Sequence, residues 1–102
     1  MSVTVEPLEE LRRKLGAIDE SLLDQLRRRL ECCVEIARVK KAYGVPMMQP
    51  QRIGVAQERA ARYADEHGIS REFLRRLYDV IIEETCRLEE LVIDGAPSER
   101  AG

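Results

Sequence analysis

Apolar residues recur along the first forty positions at a spacing that admits one local structure. Leu8, Leu15, Leu22, Arg29, Ile36 and Tyr43 fall seven residues apart, and Leu11, Ile18, Gln25, Cys32 and Val39 fill the companion register. That double register is the stripe of a helix packing against other helices. Pro7 suits a first helical turn, Glu9 and Glu10 suit the positive end of the dipole, and Gly44-Val45-Pro46 stops the pattern. The spacing predicts one helix of about 36 residues, ~54 Å long at ~1.5 Å per residue.

Two shorter helices follow. Pro50 opens "PQRIGVAQERAARYADEH", with Gly68 as its C′ residue, and Ser70 caps "REFLRRLYDVIIEETCRLEELVID", which Gly95 and Pro97 end. The third helix carries the stripe Leu74, Leu77, Ile81, Thr85, Leu88 and Val92. Residues 1–6 are expected to be flexible, 7–94 to form one helical domain, and the tail 95–102 to be disordered. At ~27 Å and ~37 Å, neither short helix covers the whole stripe of the first. Several bare leucines would cost roughly 1.5–3 kcal/mol each. A second copy of the chain covers them most cheaply, so the expected fold is all-α: a three-helix protomer with a very long first helix, in an intertwined homodimer.

The chain has 102 residues, a net charge of −2 and 35% charged residues, with no tryptophan. A length of this order holds one small domain. The absence of a basic surplus argues against nucleic-acid binding. No run approaches the roughly 18 apolar residues of a membrane span, and the N-terminus lacks the regions of a signal peptide. Cys32, Cys33 and Cys86 form no disulfide or zinc pattern, with His67 the single histidine. They read as small core hydrophobes of a reduced, cytoplasmic protein.

One position in the first stripe breaks the pattern. Arg29 stands where a leucine belongs, and a buried arginine needs a partner because desolvating a charge costs several kcal/mol. Glu83 or Glu84 would serve as a structural counter-ion. Other polar groups, however, share its phase. Lys40 lies eleven residues on, near three full turns, and projects from the same face. Thr85 interrupts the third stripe, Glu89 follows one turn later, and Arg52 opens the second helix. Converging, these groups make a polar pocket in a helical bundle, and three cations with one acid call for an anionic ligand. The arginine fork suits a carboxylate, and lysine supplies a point charge. Arg12 sits seventeen residues before Arg29, about 100° away and ~26 Å along the axis. It is either a solvated charge or, in an antiparallel dimer, a group that reaches the partner's site.

The stretch "LRRKLGAIDESLLDQLRRRLECCVEIARVKK" resembles the first helix of the all-helical chorismate mutase family. The family's arginines fall on Arg12 and Arg29, its lysine on Lys40, and its Ile-Asp pair on Ile18 and Asp19. The second-helix arginine falls on Arg52, and "LYDVIIEETCRLEEL" places Thr85 and Glu89 on the hydroxyl and amide positions of the third helix. The resemblance covers about residues 8 to 92. It implies an intertwined dimer with two sites, each taking Arg12 from the other subunit. It also implies a [3,3] rearrangement of a chorismate-type dicarboxylate, with no metal or cofactor. Arg29 and the partner's Arg12 would clamp the carboxylates, and Lys40 would bond the ether oxygen.

Three positions depart from the family pattern. Gln49 replaces an aspartate, Ile53 replaces the glutamate that contacts the ring hydroxyl, and Glu89 replaces a glutamine. "GVPMMQPQRIGVAQERAARYADEHGIS" looks most like the 4-amino-4-deoxychorismate mutases of antibiotic precursor pathways. Gln49 would then accept from the ring amine. Ordinary chorismate mutase and isochorismate-pyruvate lyase are the alternatives within this chemistry. A non-catalytic dimerisation module is the alternative outside it, and leaves Arg29, Lys40, Arg52 and Glu89 in register without a reason.

Overall fold

The computed structural model describes residues 5–46 and 50–94, with the backbone alone for 50–53. It holds three helices and is all-α: α1 Glu6–Tyr43, α2 Pro50–His67 and α3 Arg71–Asp94. The expected disordered tail and most of the N-terminal segment lie outside the described residues. The chain divides into two units, one ending at Cys32 and the other beginning at Cys33.

Four of the helix ends have a local cause among the described residues. Val5 lies just before α1, and its carbonyl accepts from the amides of Leu8 and Glu9, both at 3.0 Å. Glu6 and Glu9 place negative charge in that first turn. At the other end Gly44 takes φ 67°, and the Val45 amide reaches back to the Lys40 carbonyl at 2.8 Å. Gly68, also at φ 67°, closes α2 the same way, with the Ile69 amide on the Ala64 carbonyl at 2.9 Å. Both are Schellman closures, which need a residue that tolerates the left-handed region. Ser70 Oγ accepts from the Phe73 amide at 3.1 Å, capping α3, and Arg71 pairs with Asp65 across the turn at 3.1 Å.

Within the first unit α1 presents its stripe to solvent. Leu8, Leu11, Leu15, Ile18 and Leu22 are all exposed, between 42% and 61%. Polar neighbours on this segment bond along the helix: Arg27 takes Asp24 at 2.7 Å and Glu31 at 2.8 Å. The bond to Arg27 and the guanidinium's charge hold the Asp24 carboxyl below its ordinary range. The expectation that Cys32 is a core residue is corrected here. It is exposed, because it belongs to the Leu11–Ile18–Gln25 register, which a single chain leaves uncovered.

In the second unit α2 and α3 pack together, and Gln57 Nε2 donates to Asp79 Oδ1 across their seam at 2.6 Å. The buried apolar side chains among the described residues are Ala37, Ala60 and Ala64. Small side chains let helix backbones approach, yet each removes little apolar area from water. No large side chain is fully buried among the described residues.

Candidate active site

Ala37 lies near the end of α1. It is fully buried, and Lys40 follows three residues later on the same face. The Lys40 Nζ lies 3.4 Å from Glu89 Oε1 on α3, with the two side chains only 16% and 9% exposed. Glu89 is the buried charged residue among those described. Burial of an ion pair is costly, and it persists where partners or a ligand satisfy both groups. Among the described residues no buried side-chain polar atom lacks a hydrogen-bond partner.

The 3.4 Å separation exceeds the ~2.7–2.9 Å of a tight charge-assisted bond. An ammonium carries three protons and can serve more than one acceptor. Glu89 keeps a second oxygen, an acceptor when ionised and a donor when protonated. Thr85 is half-buried one turn earlier on the same side of α3. Cys86 is half-buried beside them, and burial, reinforced by the negative charge of Glu89, pushes its thiol pKa up. That thiol is therefore kept as a neutral neighbour rather than a nucleophile. The arrangement can hold an anionic or ether-oxygen acceptor through Lys40 and exchange a hydrogen bond through Glu89.

The residues expected from the sequence fall as follows. Lys40 and Glu89 are brought together, with Thr85 beside Glu89. Arg29 is half-buried on the α1 segment that ends at Cys32. Arg12, on the same segment, is exposed and bonds Glu9 at 3.2 Å. Gln49 lies outside the described residues. Arg52 and Ile53 lie in the first turn of α2, but their side chains are outside the description. Glu84, one of the two proposed counter-ions for Arg29, accepts from Arg87 at 2.9 Å and 2.7 Å, which lowers its pKa.

Two further contacts were not foreseen. Lys41 Nζ donates to the Val92 carbonyl at 3.2 Å. The paired lysines at the end of α1, with no base in the last turn of α3, were the available signal. Tyr63 and His67 stack at 3.9 Å between ring centroids, which places the histidine in a local contact on α2. Grooves also flank the α2–α3 seam. One of about 490 Å³ is lined by Gly54, Gln57, Arg71 and Arg75, and a smaller apolar one by Tyr63, Leu74 and Tyr78. Neither is lined by Lys40 or Glu89, so the chemistry is better sought at the ion pair.

Comparison with known proteins covers most of the chain. The family model described as chorismate mutase type II matches residues 11–90. A 4-amino-4-deoxychorismate mutase of Streptomyces venezuelae is 55% identical over 86 residues, 84% of each chain. One of Streptomyces pristinaespiralis is 50% identical over 98 residues, 94% of this chain and 76% of the relative. A chorismate mutase of Methanocaldococcus jannaschii is 23% identical over 90 residues, 88% of this chain and 91% of the relative.

Proposed function

We propose a reaction for a chain that belongs to the chorismate mutase type II family: the [3,3] rearrangement of 4-amino-4-deoxychorismate to 4-amino-4-deoxyprephenate. The observation that carries the amino substrate is the likeness to two relatives of that name over most of their length. The departure at Ile53 from the family's acid indicates that the ring substituent or its position is read differently here, and does not by itself choose between the amino substrate and isochorismate. The product would feed p-aminophenylalanine-type antibiotic precursors, and the setting would be cytoplasmic. Among the described residues no helix is long and apolar enough to cross a membrane.

In the rearrangement one ring carbon–oxygen bond breaks as a carbon–carbon bond forms, and negative charge grows on the ether oxygen. Lys40 donates to that oxygen in this reading, and its charge stabilises the transition state more than the ground state. Arg29 and the partner's Arg12 clamp the two carboxylates and hold the reacting carbons close, converting binding into orientation. The family resemblance assigns Thr85 and Arg52 to substrate binding, Gln49 to accepting from the ring amine, and Ile53 to the position of the family's acid. Glu89 supplies the second hydrogen bond at the ether oxygen.

The homodimer belongs to the same proposal. The bare leucine stripe of α1 supports it, because that apolar surface is the kind an obligate interface covers. The test is incubation of the purified protein with 4-amino-4-deoxychorismate, chorismate and isochorismate in turn, with product identification. The amino substrate should give the highest kcat/KM. Preference for chorismate would make the chain an ordinary chorismate mutase, and pyruvate release from isochorismate would make it a lyase. Turnover of none would leave the dimerisation module.

A further inference from the structure

We propose that Lys41 is a positioning residue for the reaction at Lys40 and Glu89, holding α3 at a fixed height against the end of α1. The inference rests on the reading of that pair as the reaction site. Consecutive side chains leave a helix about 100° apart, so Lys40 and Lys41 would ordinarily serve different neighbours. Here both end on α3. Lys40 Nζ is 3.4 Å from Glu89 Oε1, and Lys41 Nζ is 3.2 Å from the Val92 carbonyl.

Glu89 and Val92 are three residues apart, roughly 4.5 Å along the axis and adjacent on the helix surface. α3 is held by α2 along their seam and by the ion pair at Glu89, and Lys41 adds a polar tie to α1 beyond Glu89. Two anchors about one turn apart oppose both rotation and sliding. Val92 also lies in the last turn of a helix that ends at Asp94. Carbonyls there lack partners inside the helix, and the negative end of the dipole gathers on them. No base of α3 itself occupies that turn. Lys41 supplies the missing cation from another helix and so opposes fraying within two turns of Glu89. Lys41 has no contact with substrate in this account. It acts through Glu89, whose carboxyl must keep its place to within ~0.5 Å of the productive geometry.

The test compares wild type, Lys41→Met and Lys41→Arg on whichever dicarboxylate the wild type rearranges. Each is assayed at low and high ionic strength, with hydrogen–deuterium exchange of α3 alongside. Lys41→Met should lose about tenfold in kcat, less than the ~100-fold of a 1 Å misplacement. Its KM should stay within about twofold of wild type at both ionic strengths. Amides from residue 89 onward should exchange faster. Lys41→Arg, which keeps a charged donor, should restore most of the kcat and the protection. An unchanged kcat in Lys41→Met overturns the proposal, whatever happens to its melting temperature. So does a rise in KM alone that salt removes, which would make Lys41 a charge that attracts the dianion. If the wild type rearranges none of the substrates, the functional reading fails separately. Exchange then decides on its own, and unchanged protection of residues 89–94 in Lys41→Met refutes the anchor.

Discussion

Replacing Glu89 by glutamine separates two jobs that one carboxyl can perform. At 3.4 Å the carboxylate and the Lys40 ammonium attract by about 5 kcal/mol if the effective dielectric is near 20. Desolvating the two ions costs several kcal/mol each and offsets most of that gain. Glu89→Gln keeps an acceptor oxygen for Lys40 and removes one desolvated charge. Its cost in stability should therefore be about 1–2 kcal/mol, below the ~3–5 kcal/mol of a buried charge left alone. The effect on rate is larger. If Glu89 donates to the ether oxygen, glutamine keeps a donor there and leucine, of similar size, removes it. A lost donor at such a position costs about 10²–10³ in kcat. Glu89→Gln should therefore keep most of kcat, whereas Glu89→Leu should lose about a hundredfold. The assay is kcat and KM of wild type and both variants with chorismate and with the 4-amino substrate. If Glu89 instead holds the amine as an acceptor, Glu89→Gln should raise KM for the amino substrate and leave chorismate unaffected. A kcat for Glu89→Leu equal to that of Glu89→Gln refutes the donor role.

The remaining expectations concern the rest of the chain. Arg12→Ala and Arg29→Ala should each lose roughly 100-fold or more in kcat/KM, and mixing them with subunit exchange should restore about a quarter of the sites; no recovery despite proven exchange would place Arg12 outside the partner's site. Gly68→Ala should lower stability by about 1–2 kcal/mol in a melting experiment, entirely through its φ of 67°, since an added methyl meets nothing within 4 Å. The raised Cys86 pKa gives stability that is present below the ordinary thiol value of 9.0 and is lost as pH rises through the higher folded value; Cys86→Ala should remove that alkaline loss in denaturant titrations. Cys32, exposed in the single chain, should resist alkylation at concentrations where the dimer forms and react on dilution; reaction independent of protein concentration would argue against its burial between copies.

The helices were legible because their signals are local. The seven-residue register, Pro7, Ser70 and the glycines at 44 and 68 each act within one or two turns, and the ends of α2 and α3 fall where those residues put them. The approach of Lys40 to Glu89 was partly legible, since helical phase groups residues on a face without saying which faces meet. Lys41 was legible only as one of two cations at the end of α1. Its bond to Val92 depends on the height at which two helices cross, a property of packing that no single-helix period contains. Cys32 misled for the opposite reason. Its place in an apolar register promised burial, but the surface that would bury it is not supplied by its own chain.

A chain whose buried apolar side chains, among those described, are alanines, with the leucines of its first stripe exposed, has a particular life in the cell. On the proposed dimer, each newly made copy presents a stripe that chaperones and proteases recognise until it meets another copy. Pairing is second order in chain concentration, so at low synthesis rates most copies are lost to triage before they pair. The yield of working enzyme then climbs more steeply than the rate of translation. A pathway built on such a chain gains a threshold in gene expression without any regulator to impose it.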